Sequence, residues 1–170
     1  MTESTPQSER AGVPDPHRGL AAPSPGERFA RTAAAVAGAA FLVVGILGFV
    51  PGVTTNVDEL ELAGHHSGAE LLGVFQVSVL HNVLHLLLGV AGLLLARRGP
   101  QAVGYLFVGG VAYLGLWVYG VAVGHDSDAN VVPLDTADNW LHLGLGVAML
   151  VAGAIALRGV RGGIGSQTPM

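Results

Sequence analysis

The chain has 170 residues, of which 51% are hydrophobic and only 12% are charged, and its formal net charge is −4. Soluble globular proteins carry about 25% charged residues, so a chain with so little charge is expected to have lipid around most of its surface. The sequence contains no cysteine, which excludes disulfides, thiolate metal sites and cysteine nucleophiles.

The N-terminal segment, residues 1–28, is predicted to be a disordered cytoplasmic tail. Its prolines stand among Ser, Thr, Gly and mixed charges, and such a segment cannot bury enough apolar surface to offset the entropy lost on ordering. The first apolar run follows at about residues 30–50 and ends at Pro51-Gly52. Because a run of this length matches a bilayer core of about 30 Å, it is interpreted as a retained anchor and not as a cleaved signal peptide.

A polar loop, residues 51–68, separates the first span from the second. Ser67 and Glu70 have the spacing of a capping box, which predicts a helix from about residue 68 to residue 96, with its membrane span at about residues 71–96. Arg97-Arg98-Gly99-Pro100 ends this helix. At 1.5 Å per residue the helix would be about 43 Å long, so its first turns are expected at or above the membrane surface.

Two further spans are predicted at about residues 101–124 and 137–157, and Asp135 or Thr136 can cap the fourth helix. Residues 159–170 are predicted to form a flexible cytoplasmic tail. Small residues allow close packing of membrane helices. The small residues assigned to such packing are Gly89 on the second helix and Gly144, Gly146, Ala148, Ala152 and Ala156 on the fourth.

These elements predict an all-α membrane protein, with four transmembrane helices in a bundle over residues 29–158. All eight basic residues are arginines, and with four spans all of them fall on one side. The positive-inside rule makes that side cytoplasmic, so we expect a multi-pass protein of the cell (plasma) membrane with both termini in the cytoplasm. The expected partners are the lipid bilayer and, within it, a second copy of the chain or other membrane proteins, but no nucleic acid.

Polar residues interrupt the second and fourth apolar runs in a similar pattern. Aligning Asn82 with Asn139 also aligns His85 with His142 and Gly89 with Gly146, which suggests a tandem repeat of two helix pairs. The pattern defines a polar cluster of six residues: His81, Asn82, His85, Asp138, Asn139 and His142.

The facing of this polar cluster follows from helical spacing. His81 and His85 share one helix face at i, i+4, and so do Asp138 and His142. Counting residues back from the cytoplasmic arginines places both pairs in the outer half of the bilayer. If the second and fourth helices touch, these four side chains converge below the outer surface.

Three interpretations of the polar cluster stay open. The Asn and His side chains can hydrogen-bond neighbouring helices and fix their register. The set His81, His85, Asp138 and His142 can instead bind a divalent metal or haem iron, because imidazole and carboxylate are good ligands for first-row metals. Thirdly, the histidines can handle protons or lipid headgroups.

No sequence pattern specifies an enzyme. A Gly-rich phosphate loop, a Gly-x-Ser-x-Gly elbow and a His-Glu-x-x-His motif are all missing from the sequence. The spans also lack the several charged residues expected along a solute pathway. The expected function is therefore a structural or regulatory component of the cell envelope, with a haem- or metal-binding membrane subunit as the alternative.

Three segments resemble a known actinobacterial membrane family, domain of unknown function 4383. They are Leu71-Leu72-Gly73-Val74-Phe75, His81-Asn82-Val83-Leu84-His85-Leu86 with Gly89, and Asp138-Asn139-Trp140-Leu141-His142-Leu143 with Gly146. The resemblance covers about residues 30–157 and implies a four-pass integral membrane protein, but no activity, substrate or cofactor. The family often has Asn shortly before its His-Asn pair, where this chain has Ser78.

Overall fold

A computed structural model describes residues 22–165 of the chain, with side chains as far as residue 160. The predicted disorder of residues 1–21 therefore lies outside the described residues. The prediction of a helical protein with four helices is confirmed. The helices are α1 (Pro25–Leu47), α2 (Val79–Leu95), α3 (Gly99–Val123) and α4 (Thr136–Gly165), and three two-residue strands lie between α1 and α2: β1 (Thr54–Thr55), β2 (Glu70–Leu71) and β3 (Phe75–Gln76).

Three of the helices, α1, α3 and α4, are long and apolar enough to cross a membrane. The remaining helix, α2, has 17 residues, which corresponds to about 25 Å at 1.5 Å per residue. It is therefore shorter than a bilayer core of about 30 Å.

The first helix begins earlier than the sequence predicts. Ser24 accepts a hydrogen bond from the Glu27 backbone, and the Glu27 carboxylate accepts one from the Ser24 backbone at 2.8 Å. This capping box, with Pro25 at the first helical position, starts α1 inside the segment assigned to the N-terminal tail. The C-terminal boundary shifts as well, since α4 continues to Gly165 and residues 166–170 lie outside the described part of the chain.

The predicted start of the second helix is wrong. Residues 70–76 form two strands of an antiparallel sheet, with the order β1-β2-β3, and α2 begins only at Val79. The hydroxyl of Ser67, assigned to a helix cap, instead donates to the Val77 carbonyl and accepts from the Glu61 amide. The true cap is Ser78, whose hydroxyl accepts from the His81 backbone at 3.1 Å.

A turn with left-handed backbone explains why the helix cannot start earlier. Leu72 has φ 56° and Gly73 has φ 68°, and two successive residues in this region are incompatible with a right-handed helix. The turn lets Leu71 pair with Phe75 and Glu70 pair with Gln76. The glycine at position 73 was the sequence signal for this hairpin.

The helices pack mainly as two pairs, α1 with α2 and α3 with α4, and α1 also contacts both α3 and α4. Glycines face each other inside both pairs. A Cβ atom on Gly89 would lie 2.8 Å from the Gly38 carbonyl oxygen, and one on Gly146 would lie 3.0 Å from the Gly110 carbonyl oxygen. The two backbones of each pair can approach this closely only because these positions lack side chains.

The predicted packing row on α4 holds only in part. Ala156 is fully buried and Gly146 faces Gly110, but Gly144 and Ala148 are exposed. A Cβ atom on Gly144 would meet nothing within 4 Å. Because α4 packs against α3 and α1 at once, its buried face runs through Gly146, Met149 and Ala156 and leaves Gly144 and Ala148 outside.

Tyr105 of α3 lies in the interior of the protein, next to α2. Its side chain is 6% exposed, and its hydroxyl donates to the Leu88 carbonyl at 3.1 Å. A buried phenol needs such a partner. Tyr105 therefore joins α3 to α2 within the protein.

Candidate functional site

The polar cluster lies where α2 and α4 begin, directly below the three-stranded sheet. Both helices start with a side-chain cap: Ser78 caps α2, and Asp135 caps α4 by accepting from the Asp138 amide at 2.8 Å. The other carboxylate oxygen of Asp135 accepts a hydrogen bond from the backbone N–H of Gln76 at 3.2 Å. This bond ties strand β3 to the start of α4 and brings the two helix ends together.

All six residues of the polar cluster are buried. The exposed fraction is 0% for Asn82, 2% for both Asp138 and His142, and no more than 8% for any member. Polar groups in an apolar interior are costly unless they are paired. The hydrogen-bond partners available to these six side chains therefore decide whether their burial is costly.

Two histidines and one carboxylate converge between the helices. One ligand atom each from His81, Asp138 and His142 lies within 4.8 Å of the others. The helices α2 and α4 make little backbone contact, so they meet chiefly through these side chains. The set is formed by the first turn of α2 and the first two turns of α4.

His85 stands beside this set and does not complete it. Its Nδ1 lies 3.1 Å from the His81 carbonyl oxygen, one turn earlier on the same helix. A carbonyl only accepts, so Nδ1 carries the proton and donates. The two rings are stacked with centroids 4.7 Å apart, and His85 thus supports one face of the His81 imidazole.

Two aromatic rings from the other helices enclose the histidines. Phe41 of α1 meets His85 edge-on at a centroid distance of 5.8 Å, and Tyr113 of α3 lies 5.2 Å from His142. Sequence reasoning assigned no role to either aromatic residue. The hydroxyl of Tyr113 in the middle of an apolar span was the signal available for it.

Several buried polar atoms at this site have no hydrogen-bond partner within the described part of the chain. They are His81 Nδ1, Asn82 Nδ2 and Oδ1, Tyr113 OH, Asp138 Oδ2, Asn139 Oδ1 and His142 Nδ1. Each buried polar group left in this state costs about 1–3 kcal/mol. Such a concentration is unusual in a folded protein and calls for a water, an ion or a ligand.

The two asparagines fill matching gaps. The Asn82 side chain lies against Gly48 at the end of α1, and the Asn139 side chain lies against Gly120 near the end of α3. A Cβ atom at either glycine would overlap the amide. Both asparagines thus act through close packing, which differs from the interhelical hydrogen bonds expected of them.

A second set of candidate ligands lies in the loops. His65, His66 and Asp128 also bring ligand atoms within 4.8 Å of one another. Two of the three residues are exposed and the third is half-buried, and solvated loop histidines commonly need no ligand. This loop set therefore serves as a comparison for the buried one.

The fold and the site define a helical protein with three helices of membrane-spanning length and a buried cluster of histidine, asparagine and aspartate. The chain belongs to the family described as domain of unknown function (DUF4383), whose model matches residues 31–155. This match contains α2 and α3 entirely, most of α1 and α4, and the whole polar cluster. Comparisons with curated proteins and with solved structures find no match.

Proposed function

We propose that this protein is a four-pass integral membrane protein that binds a divalent transition-metal ion through His81, Asp138 and His142. One observation carries the proposal: these three side chains converge within 4.8 Å while buried, and His81 Nδ1, Asp138 Oδ2 and His142 Nδ1 each lack a hydrogen-bond partner in residues 22–165. A single cation would accept a lone pair from each side chain.

A purely structural role, in which the polar cluster only holds the helices together, explains the unpaired polar atoms less well. Polar side chains that hold membrane helices together do so by hydrogen bonds to each other or to the backbone. Here both polar side-chain atoms of Asn82 and the Oδ1 of Asn139 also lack a hydrogen-bond partner among residues 22–165. The polar cluster therefore carries the cost of burying polar groups without the bonds that would offset it.

The donor set fits a metal of the zinc class. Two imidazoles and one carboxylate suit Zn²⁺, Fe²⁺, Ni²⁺ and similar ions, and three protein ligands leave one coordination position open. Tetrahedral ligands at about 2.0–2.1 Å from zinc are about 3.3 Å apart. The ligand atoms lie up to 4.8 Å apart, so metal binding would require side-chain movements of about 1.5 Å to reach this value.

Haem fits this site less well than a single ion. A haem plane needs an open slot beside its axial histidine, but Tyr113 lies 5.2 Å from His142 and stacks on Phe41 at the same centroid distance. His85 covers the neighbouring face of His81. The space around the histidines is thus filled by rings of the protein.

Contacts that recur in the two helix pairs support a tandem repeat and, with it, four spans. Each α3 counterpart follows its α1 residue by 72 positions, and each α4 counterpart follows its α2 residue by 57 positions. The matching contacts are Gly38–Gly89 with Gly110–Gly146, Gly48–Asn82 with Gly120–Asn139, and Phe41–His85 with Tyr113–His142. The caps Ser78 and Asp135 correspond in the same way.

The repeat differs at one position that matters for metal binding. His81 on α2 corresponds to Asp138 on α4. The exchange of imidazole for carboxylate gives the site mixed nitrogen and oxygen ligands and one negative charge, which favours a divalent cation over a neutral ligand. The two halves of the chain would thus supply different parts of one site.

Orientation follows from charge in this proposal. No arginine occurs between Arg31 and Arg97 or between Arg98 and Arg158. The charged residues of the two loops that flank the polar cluster are therefore all acidic, with histidine counted as neutral. The positive-inside rule then places both termini in the cytoplasm and the polar cluster in the outer half of the cell membrane.

Metal content of the purified protein tests the proposal. Protein in detergent, loaded with Zn²⁺ and passed over a desalting column, should retain one ion per chain by elemental mass spectrometry. His142→Ala and Asp138→Asn should lose this ion, whereas a variant with both His65 and His66 changed to Ala should keep it. Wild-type protein that retains no more zinc than His142→Ala would refute the metal site and leave a structural role in the membrane.

A further inference from the structure

The opposite end of the molecule carries a basic cleft that is unrelated to the polar cluster. A cavity of about 530 Å³ opens between α1 and the end of α2. Its charged rim and apolar floor are formed by Arg28, Arg31, Arg97, Ala35, Val36 and Leu93. We propose that this basic cleft binds one anionic phospholipid, with the lipid phosphate on the arginines and the start of an acyl chain on the apolar floor.

The arrangement of charge and apolar surface follows the long axis of a lipid. Arg28 and Ala35 are seven residues apart on α1, which corresponds to about 10 Å along the helix. The arginines lie toward the helix end, and Val36 and Leu93, which are 64% and 39% exposed, continue the cleft toward the middle of the protein. Basic pockets between membrane helices commonly hold the headgroups of anionic lipids.

Arg31 is held in position and can still donate further hydrogen bonds. Arg31 donates from Nε to the Ala96 carbonyl at the end of α2, at 3.1 Å. A guanidinium has five N–H donors in a planar fork that matches phosphate oxygens, and this bond uses one of them. Arg97 follows Ala96 in the sequence, and both Arg31 and Arg97 line the cleft.

Among residues 22–160, no carboxylate pairs with the arginines of the basic cleft. Glu27 is the acidic residue closest in sequence to Arg28 and Arg31, but its carboxylate accepts from the Ser24 amide at 2.8 Å and its side chain packs against Gly99. Around Arg97 the chain has no Asp or Glu between Glu70 and Asp126. The three rim arginines therefore present positive charge to whatever occupies the cleft.

Arg98 provides a matched control. It adjoins Arg97 at the same end of the protein and is also exposed, yet it does not line the cavity. A general attraction between basic residues and an anionic membrane would involve Arg97 and Arg98 alike. A built lipid site depends on Arg97 and not on Arg98.

Native mass spectrometry of the full-length protein tests this inference. Protein released from mixed micelles should retain one phosphatidylglycerol in preference to phosphatidylcholine with the same acyl chains. The double variant R31Q/R97Q should lose this preference by roughly 10- to 30-fold, on the basis of about a fivefold effect for each arginine. Because Arg31 also holds the end of α2, R28Q/R97Q is the second variant, and R98Q should behave as wild type.

Three outcomes would overturn the lipid site. Equal retention of the two lipids by wild-type protein would exclude a headgroup preference. An R98Q variant that loses about fivefold of the preference, as expected for one rim arginine, would reduce the effect to overall charge. Displacement of phosphatidylglycerol by millimolar inorganic phosphate, with no dependence on the acyl chains, would show a soluble anion as the ligand instead. The metal content measured at His81, Asp138 and His142 is independent of all three.

Discussion

Tyr113 of α3 stacks on Phe41 of α1 with ring centroids 5.2 Å apart and an interplanar angle of 22°. Each ring also touches a histidine of its partner helix, since Phe41 meets His85 and Tyr113 meets His142. The stacked pair thus joins the two helix pairs at the level of the polar cluster. Because both rings also contact histidines, this contact helps to position the imidazoles.

Substitutions of Tyr113 should separate the role of its ring from that of its hydroxyl. Tyr113→Ala removes the stacked ring and should destabilise the protein by about 3–5 kcal/mol. Tyr113→Phe removes a buried hydroxyl that is unpaired in residues 22–165 and should leave stability equal or higher. Thermal unfolding in detergent measures both. A loss of zinc in Tyr113→Phe would contradict this account by making the hydroxyl a ligand.

The facing glycines should tolerate no side chain. Gly89→Ala places a methyl group 2.8 Å from the Gly38 carbonyl oxygen, and forcing the helices apart should cost about 1–3 kcal/mol. Gly146→Ala should behave alike, because it meets Gly110 in the same manner. The control is Gly144→Ala, which fills open space and should stabilise α4 slightly through better helix propensity. Equal losses at all three positions would argue against the packing described.

Asp138 should have opposite effects on the metal-free and the metal-bound protein. In metal-free protein Asp138→Asn removes a buried carboxylate whose Oδ2 has no hydrogen-bond partner among residues 22–165, and the change should raise or preserve the unfolding temperature. Zinc at 100 times its dissociation constant should stabilise wild type by about 2.7 kcal/mol, and this gain should vanish in Asp138→Asn. If zinc still raised the unfolding temperature of Asp138→Asn, the ion would have to bind at another site.

The start of α2 can be tested at its cap. Ser78→Ala removes the hydroxyl that accepts from the His81 amide and should cost about 1 kcal/mol, as for other lost helix caps. Hydrogen exchange should quicken at the amides of the first turn of α2 and stay unchanged in α4. If exchange instead quickened from residue 68 onward, the result would support the longer helix that the sequence predicts from about residue 68.

Reporters fused to either end test orientation. A cytoplasm-specific reporter should be active at both termini, and a reporter that works only outside the cytoplasm should be active when inserted near Gly64, in the loop after β1. Opposite activity at the two termini would require an odd number of spans and would remove α2 from the membrane-crossing set.

Sequence patterns located the long helices well because apolar length is a local property. The third helix begins at Gly99 and ends at Val123, within two residues of the bounds expected from Pro100 and Gly124. The error at the start of α2 arose because Leu71 to Val77 is apolar enough to be read as helix. Its strand pairing depends on Thr54 and Thr55, contributed from well before it in the chain.

Helical spacing also limited what could be predicted of the site. It grouped His81 with His85 and Asp138 with His142 on their own helices, and convergence depended on contact between α2 and α4. The structure brings His81, Asp138 and His142 together and leaves His85 as a support. Phe41 and Tyr113 could not be assigned from spacing, because their contact joins helices that are distant in sequence.

The shortness of α2 has a mechanical consequence. Its first amides are satisfied by the carbonyls of Glu61 and Leu62, at 3.0 and 2.9 Å, so this helix end does not need water and can sit below the headgroups. The hairpin above it exposes Leu72 and Val74, at 64% and 52%, which suits contact with acyl chains. We therefore expect bilayer thickness to set how far the hairpin sinks, and longer acyl chains to shield it progressively from an added protease.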